Sequence, residues 1–300
     1  MRQVSILLAV HNGAPFIGDA IQSAIDQTYD NWELIIVSNG STDETVRICR
    51  ERGVADARIR VFALPEKGKN AAYNVAYSHA TGAYVCFFAA DDRLPRESLA
   101  ERLAVLEGAP ANCYSTCRLK TFSADPKYDG ILFPRSLTRP NYSGGSLLFS
   151  RTLAERVFPL PEAQPNEDTW TALHLRAFGH RRHVAKPLYL YRIHENNSYG
   201  YTLDFEHKRR EYLNRMRAYQ LFYDKYKNEG LSFVDNDVVP FIKGLASARD
   251  RNVLRILLVR GLDIGSKLLL IFYCSRLLYG LRHRFFKGFS GGLWSGRRTG

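Results

Sequence analysis

Two adjacent carboxylates, Asp91 and Asp92, follow the apolar run Ala83–Phe88. A buried strand that ends in acidic residues presents hard oxygen ligands at the edge of a sheet, and such ligands suit Mg²⁺ or Mn²⁺ bound beside phosphates. The alternative is that one of the two carboxylates caps a helix that begins near Pro95. The pair therefore predicts either a metal or diphosphate contact or a helix N-terminus.

Two earlier apolar runs also end in polar segments, at residues 11–13 and 38–43. Ligands of doubly wound sheets bind beyond the carboxyl ends of the strands. Ser38 and Asn39 can both donate and accept hydrogen bonds, so we expect them to line such a cleft. Residues 41–43 precede a helical pattern, and we expect one of them to cap that helix.

The elements that would hold these side chains alternate between strands and helices. Continuous apolar runs predict strands at 4–10, 34–37, 59–63 and 83–88, and apolar residues at helical spacing predict helices at 16–25, 43–52 and 71–79. Such alternation implies right-handed crossovers and a doubly wound, mainly parallel α/β sheet. Beyond residue 110 prolines interrupt the pattern, and a helix at Asp168–Phe178 and a strand at His183–Ile193 are predicted.

The composition excludes several classes of protein. With 300 residues, of which 45% are hydrophobic and 24% charged, the chain is neither disordered nor collagen-like. The five cysteines form no CxxC pair, which disfavours a disulfide framework. The N-terminal apolar run is too short for a signal peptide, and no run of about 18 apolar residues occurs, so we expect a cytoplasmic protein.

The net charge of +12 is concentrated in a tail, because residues 253–300 hold nine basic residues and one acidic residue. We expect one domain at 1–203 and a basic helical extension at 204–300, with long helices at 205–227 and about 253–286. Charged residues interrupt the apolar stretches of the second helix and disfavour a membrane span. The pattern is typical of a helix lying on an anionic membrane surface. Packing on the first domain, or on a second copy in an oligomer, is the alternative.

Several segments resemble, in order and spacing, the motifs of the family 2 glycosyltransferases, which adopt the GT-A fold. They are VSILLAVHNGAPFIGDAIQSAIDQTYDNWELIIVSNGSTDET, GKNAAYNVAYSHATGAYVCFFAADD, NEDTW and LYLYRIHENNS. The resemblance covers about residues 3–200 and leaves the tail outside it. It implies an inverting enzyme that uses a nucleotide sugar together with Mn²⁺ or Mg²⁺.

The resemblance implies roles for individual side chains. Asp91, as the last acid of a DxD-type motif, is assigned to the metal, and His194 is added to the metal shell. Contacts with the nucleotide or its diphosphate are expected for a second set of residues: Ala9, His11, Asn12, Ser38, Asn39, Lys69, Asp92 and Arg192. The segment 144–146 (Gly-Gly-Ser) resembles the stretch that lines the donor-sugar pocket.

Glu167 and Asp168 match the family's ED motif. By resemblance, Asp168 is the base that takes the proton of the acceptor hydroxyl, and Glu167 binds the acceptor. The alternative is a pair of acids placed at a helix N-terminus by the helix macrodipole. A helix start at this point does not exclude catalysis.

Some residues depart from the family pattern. Ala89 stands where the first acid of the DxD motif is expected, and Tyr73 replaces an arginine. Ser38 and Asn39 replace two aspartates.

The leading hypothesis is transfer of a hexosyl or N-acetylhexosaminyl group from a UDP-sugar to a glycan or lipid-linked acceptor in surface polysaccharide synthesis, at the inner face of the cytoplasmic membrane. A catalytically silent, nucleotide-sugar-binding scaffold is the alternative. Nucleic-acid binding is disfavoured, because the basic tail carries no recognition motif.

Overall fold

The computed structural model of the protein describes residues 2–194 and 204–281. The chain divides into two compact units, Met1–His194 and Glu195–Gly300, and each has a hydrophobic core of its own. The sequence predicted a boundary at residue 203, and residues 195–203 lie outside the described ranges.

The described part of the first unit alternates strands and helices. Its strands are β1 (Val4–Val10), β2 (Trp32–Asn39), β3 (Ile59–Leu64), β4 (Tyr84–Ala89), β5 (Cys113–Ser123), β6 (Leu132–Phe133), β7 (Leu147–Ser150) and β8 (His180–Ile193). Its helices are α1 (Ile17–Ile25), α2 (Thr45–Ala55), α3 (Lys69–Ser78), α4 (Ser98–Ala104), α5 (Arg151–Val157) and α6 (Asp168–Phe178), with a 3₁₀ turn at Gly144–Ser146.

These strands form one sheet in the order β3-β2-β1-β4-β7-β5-β6, and β8 pairs with β5. Strands β1 to β4 are mutually parallel where they pair. Strand β7 runs antiparallel to β4 and β5, and β8 runs parallel to β5. The predicted doubly wound, mainly parallel α/β sheet is confirmed.

The central strands are buried on both faces, which is why their sequences read as continuous apolar runs. Ile6 and Leu34, for example, have no exposed surface. In the register of the sheet, Ala9 lies between Val37 of β2 and Ala89 of β4. The carboxyl ends of β2, β1 and β4 are therefore fixed side by side.

The bounds of single elements differ little from the predicted ones. Helix α6 begins and ends at the predicted residues. Helix α2 begins at Thr45 instead of residue 43, because the carboxylate of Asp43 accepts a hydrogen bond from Thr45 N (3.1 Å) ahead of the first turn. Strand β8 begins at His180, where its pairing with Cys113 of β5 starts.

The first predicted tail helix is present with an interruption at Met216, and the second is divided into separate short helices. The described part of the second unit holds α7 (Phe205–Arg215), α8 (Arg217–Tyr226), α9 (Val239–Arg249), α10 (Val253–Leu258) and α11 (Ile264–Phe272), with a π turn at Val234–Val238. Helices α10 and α11 are separated where Gly261 has a φ of +79° and where Asp263 caps α11 by accepting from Ser266 N (3.0 Å). Residues 282–286 of the second predicted helix lie outside the described residues. No described helix combines the length and the apolar character needed to cross a membrane.

One charged residue in the core of the first unit has no protein partner among the described residues. Arg102 of α4 is fully buried, and none of its guanidinium nitrogens has a hydrogen-bond partner. Burial raises the pKa of the neighbouring Cys86 to about 11, and the positive charge of Arg102 opposes that rise only in part. Cys86 therefore stays neutral and cannot balance the guanidinium charge.

Arg102→Met is expected to increase the free energy of unfolding by about 1–4 kcal/mol, since a hydrophobic side chain of similar length removes a buried, unpaired charge. Urea denaturation of the full chain measures the change. Arg52→Met on α2, where the side chain is exposed, is the control and should change stability by no more than about 0.5 kcal/mol. Destabilisation by Arg102→Met would show that the charge has a compensating partner.

Candidate active site

The sheet brings most of the predicted strand-end residues to one edge. Strand β1 supplies Ala9 and is followed by His11, β2 ends with Ser38 and Asn39, and β4 is followed by Asp91. Because β2, β1 and β4 are neighbours in the sheet, these five residues lie together, as the sequence predicted from the topology.

The segments after β1 and β2 are tied to each other by hydrogen bonds. Asn12 has a left-handed φ of +50°, a conformation that Asn adopts more readily than most residues. Its Oδ1 accepts from Thr42 N (2.8 Å), and its backbone N donates to Ser41 Oγ (3.0 Å). Ser38 Oγ donates to the same Ser41 hydroxyl (2.8 Å). The side chains of Asn12 and Ser38 thus hold the two segments together at the ends of β1 and β2.

Asn39 is buried, and its side chain joins three segments of the chain. Its Nδ2 donates to Val10 O (2.8 Å), and its Oδ1 accepts from Gly68 N (3.1 Å). Its backbone carbonyl pairs with His11 Nδ1 (2.9 Å). This bond fixes the imidazole of His11 at the end of β1, while both polar groups of the Asn39 side chain are used inside the protein.

Asp91 and His194 form the contact that best fits a metal. Asp91 Oδ2 lies 3.1 Å from His194 Nε2, and the two side chains are 32% and 18% exposed. In the ranges that the structure describes, no cluster of three or more His, Cys, Asp or Glu could hold an ion alone. A divalent ion on a diphosphate needs only one or two protein ligands, because phosphate oxygens and water complete its shell. The pair therefore fits Mg²⁺ or Mn²⁺ shared with a diphosphate.

Asp92 occupies a different environment from the one predicted. Its side chain is 2% exposed; its Oδ2 accepts from the Tyr189 hydroxyl (2.7 Å) and its Oδ1 from Arg192 N (2.8 Å). Burial, and then the negative charge of Asp91, raise its pKa well above the usual range. Asp92 holds β8 against the end of β4 and is not open to a nucleotide.

The guanidinium of Arg192, predicted to meet the diphosphate, is instead turned toward protein groups. Its Nε donates to Asp91 O (2.7 Å), and its Nη2 lies 3.0 Å from Asp19 Oδ2. The guanidinium carbon also lies over the rings of Phe16 (4.7 Å) and Phe122 (4.5 Å). These aromatic and acidic neighbours explain the position of the guanidinium. Its hydrogen bond to the backbone carbonyl of Asp91 helps to hold the residue that was predicted to bind the metal.

Glu167 and Asp168 stand at the start of α6, where each has a specific partner. Glu167 is 4% exposed, and its Oε2 lies 2.8 Å from Lys69 Nζ. Asp168 Oδ1 accepts from Gly144 N (2.6 Å), and its Oδ2 accepts from Asn166 Nδ2 (3.3 Å). Lys69, predicted to contact the nucleotide, is therefore paired with the ED motif.

Tyr73 of α3 is a buried residue that connects the two acidic sites. Burial raises the pKa of Tyr73 above its usual value, and the charge of Glu167 raises it further. Asp168 and Asp91 act in the same direction, whereas Lys69 opposes them. The Tyr73 hydroxyl donates to Phe88 O near the end of β4 (3.3 Å), and Lys69 Nζ, which pairs with Glu167, lies 5.7 Å from the centroid of the Tyr73 ring. Tyr73 and Lys69 thus connect the end of β4 to the start of α6.

Comparison with protein families gives a match to the chain between residues 5 and 158, for the family described as glycosyl transferase family 2. The match spans half of the chain. The chain belongs to glycosyl transferase family 2. The resemblance inferred from the sequence motifs is confirmed.

Two curated relatives illustrate how far the similarity of this family 2 chain extends. It is 34% identical over 137 residues to the putative teichuronic acid biosynthesis glycosyltransferase TuaG of Bacillus subtilis, a match that covers 45% of this chain and 54% of TuaG. It is 26% identical over 273 residues to chondroitin synthase of Pasteurella multocida, which covers 84% of this chain and 28% of the synthase. The chain thus spans about half, or less, of the length of these relatives.

Solved structures share the fold at low sequence identity. TarS 1–349 of S. aureus in complex with UDP-GlcNAc superposes with a TM-score of 0.58 at 17% identity, over 96% of this chain and 91% of TarS. The mannosyltransferase PcManGT of Pyrobaculum calidifontis, in complex with GDP-Man and Mn²⁺, gives 0.59 at 19% identity, over 98% of this chain and 85% of PcManGT. The predicted GT-A fold with a helical C-terminal region is confirmed.

Tyr189 of β8 was not predicted as a site residue of this family 2 domain. The glycines of the 3₁₀ turn at Gly144–Ser146 were expected, by resemblance, to line the donor-sugar pocket, but their contact with the ED carboxylates was not predicted. A Cβ at Gly144 would lie 2.6 Å from Glu167 Oε1 and 3.0 Å from Asp168 Oδ1. A Gly-Gly pair in one sequence is equally typical of a turn, so it gave no clear signal. Tyr189 lies inside a strand where only the alternation of side chains could have indicated that it points inward.

Gly144→Ala is expected to lower kcat by about tenfold to 10²-fold, because the added methyl displaces the ED carboxylates and such displacements of about 1 Å are costly. Initial rates of nucleoside diphosphate release would measure it. Gly18→Ala on α1 is the matched control, since a Cβ there meets nothing within 4 Å, and it should leave kcat unchanged. Equal rates for the two variants would contradict the packing argument.

Proposed function

We propose that this family 2 chain is an inverting glycosyltransferase that moves a sugar from a UDP-linked donor to a glycan acceptor in surface polysaccharide synthesis. The observation that carries the proposal is that the Asp91–His194 pair after β4 is connected to the Glu167–Asp168 pair of α6 by the contacts of Tyr73, Lys69 and Tyr189. Glycosyl transfer needs a site for a diphosphate and a base for the acceptor hydroxyl side by side.

In the proposed reaction the acceptor hydroxyl oxygen attacks the anomeric carbon, and the bond from that carbon to the diphosphate oxygen breaks. Asp168 accepts the hydroxyl proton, and its hydrogen bond from Gly144 N keeps the carboxylate oriented. Glu167, expected by resemblance to bind the acceptor, is buried and paired with Lys69, so in this proposal it holds the start of α6 beside Asp168. The nucleoside diphosphate leaves, and the anomeric configuration inverts because attack comes from the opposite face.

Asp91 and His194 would hold the Mn²⁺ or Mg²⁺ ion. When bound, that ion would neutralise charge on the leaving diphosphate. The structures of TarS with UDP-GlcNAc and of PcManGT with GDP-Man and Mn²⁺ support a nucleotide-sugar donor and a divalent ion. The names of TuaG and chondroitin synthase support a polysaccharide as the acceptor.

The test is a donor screen with the full chain. UDP-, GDP- and dTDP-linked hexoses and N-acetylhexosamines are incubated with Mn²⁺ and a panel of glycan acceptors, and released nucleoside diphosphate is measured. We expect release from a UDP-sugar that increases when an acceptor is added. Calorimetric binding of a nucleotide sugar without turnover on any acceptor would support the silent scaffold instead, which the substitutions Ala89 and Tyr73 favour.

We also propose that the acceptor is lipid-linked and that the second unit lies on the inner face of the cytoplasmic membrane. Leu254, Leu257 and Leu258 of α10 follow an i, i+3, i+4 spacing, so they share one helix face, and all three are exposed. On α11, Ile264 and Leu268 are exposed in the same way, and Ile264 is 76% exposed. Two short helices thus present apolar faces that the core of the second unit does not cover.

The charge around these faces favours an anionic partner. Arg255, Arg260 and Lys267 belong to or flank α10 and α11, and Asp263 is the acidic residue between them. Lys267 Nζ donates to Leu257 O (2.7 Å), so the exposed residues of the two helices adjoin. Apolar side chains bordered by basic ones suit the interface of an anionic bilayer.

Sedimentation with phosphatidylglycerol vesicles tests the membrane proposal. The double variant Leu258→Glu and Ile264→Glu is expected to reduce binding at least tenfold, and phosphatidylcholine vesicles should bind the unchanged chain weakly. Val54→Glu is the control, because Val54 is 90% exposed but lies on α2 of the first unit. Unchanged vesicle binding by the double variant, or preference for an oligonucleotide over vesicles, would overturn it.

A further inference from the structure

Tyr189, a buried residue of β8, touches both loops that carry the acidic pairs. Its hydroxyl donates to Asp92 Oδ2 (2.7 Å) and accepts from Ala89 N (3.3 Å), which attaches it to the end of β4. Its ring lies against Gly145, so closely that a Cβ on that glycine would overlap the ring. One side chain therefore meets the strand-end loop and the 3₁₀ turn.

The neighbours of these contacts are the residues of the proposed chemistry. Asp92 directly follows Asp91 in the chain. Gly145 directly follows Gly144, whose N–H binds Asp168 Oδ1 at 2.6 Å. A continuous series of contacts from the metal-side carboxylate to the base-side carboxylate thus runs through the phenol ring and hydroxyl of Tyr189.

We propose that Tyr189 is a positioning residue that sets the separation between Asp91 and Asp168. The inference rests on the proposed function, since it concerns the geometry of sugar transfer. The attacking hydroxyl and the leaving diphosphate must be aligned across the anomeric carbon, and an error of about 1 Å can cost 10²-fold in rate. A tyrosine suits this task because its ring is rigid and its hydroxyl donates and accepts at once.

A role in packing alone predicts a different result. The ring by itself would fill the space beside Gly145, and phenylalanine would serve equally well. The hydroxyl, by contrast, holds the buried carboxylate of Asp92, the residue that follows Asp91 in the chain. Groups that orient the surroundings of a metal ligand commonly change metal affinity or activity by 10–100-fold when they are replaced. Removing only the hydroxyl therefore separates the two roles.

The test is Tyr189→Phe in the full chain, compared with Tyr84→Phe. Tyr84 is also buried and begins β4 at the opposite edge of the sheet, where its hydroxyl accepts from Arg2 Nη1 (2.8 Å). We expect Tyr189→Phe to lower kcat about tenfold with the donor KM changed less than threefold, and to weaken Mn²⁺ binding in the presence of UDP about tenfold by calorimetry. Tyr84→Phe should leave both within twofold.

A double-mutant cycle with Asp92→Asn supplies a second measurement. Because both changes act on one hydrogen bond, their effects on kcat should be far from additive. Equal kcat and Mn²⁺ affinity in Tyr189→Phe and Tyr84→Phe, or additive effects in the cycle, would overturn the proposal. If the unchanged chain transfers no sugar, the proposed function fails, and Mn²⁺ affinity with UDP still decides the role of Tyr189.

Discussion

Asp168→Asn is expected to lower kcat by about 10²–10⁴-fold, the range that a lost general base produces. The asparagine keeps the size of the side chain and an oxygen that can accept from Gly144 N, so the start of α6 should persist. What it loses is the ability to take a proton from the acceptor hydroxyl. The KM of the donor should change little, because in the proposed reaction this carboxylate acts on the acceptor. Initial-rate measurements of UDP release over a range of donor and acceptor concentrations give both constants.

Asp263→Asn is the matched control for this substitution. Asp263 is also an acid at a helix start, where its carboxylate accepts from Ser266 N, but it belongs to the second unit. Its replacement should leave kcat within about twofold. A rate of Asp168→Asn within threefold of the unchanged chain would assign proton removal to another group, with Glu167 the next carboxylate to test.

The sheet could be predicted because its strands are buried on both faces. The runs at 4–10 and 83–88 contain almost nothing but apolar residues, so burial itself produced the signal. Helix α6 was predicted to the residue, since an acidic pair marks its start and Gly179 follows its last residue. Local chemistry determines these features, and local chemistry is visible in one sequence.

The partners of the charged site residues could not be predicted in the same way. Arg192 and Lys69 are cations beside motifs that predicted a nucleotide site, and phosphate contact was the simplest expectation for both. Their observed partners, Asp19 and Glu167, are distant in the chain and meet them only after folding. The break between helices α10 and α11 was also missed. Gly261, whose φ is positive, interrupts an otherwise continuous helical pattern there.

Asn39 stands where the family pattern has an aspartate, and the contacts of its side chain explain this difference. One neighbouring group, Val10 O, can only accept a hydrogen bond, and the other, Gly68 N, can only donate one. An amide satisfies both groups, whereas an ionised aspartate could satisfy only the donor. Asn39 is thus matched to the loops that it joins, and its presence does not by itself indicate a lost activity.

Asp91→Asn is the second substitution with a large expected effect. The amide keeps the shape of the side chain but removes the negative charge that would attract a divalent cation. We expect the calorimetric affinity for Mn²⁺ in the presence of UDP to fall at least about tenfold, since even residues behind a metal ligand commonly cost 10–100-fold. The kcat at saturating Mn²⁺ should fall as well, because charge on the departing diphosphate would be less well neutralised.

The control for Asp91→Asn is Asp56→Asn. Asp56 precedes β3 and pairs with Arg58 (2.7 Å) at the opposite edge of the sheet, so its charge lies far from the proposed site. Its replacement should leave Mn²⁺ affinity and kcat unchanged. If Asp91→Asn binds Mn²⁺ with UDP as tightly as Asp56→Asn, then Asp91 is not the metal ligand. In that case the Asp91–His194 contact would be an ordinary hydrogen bond that closes β8 onto β4.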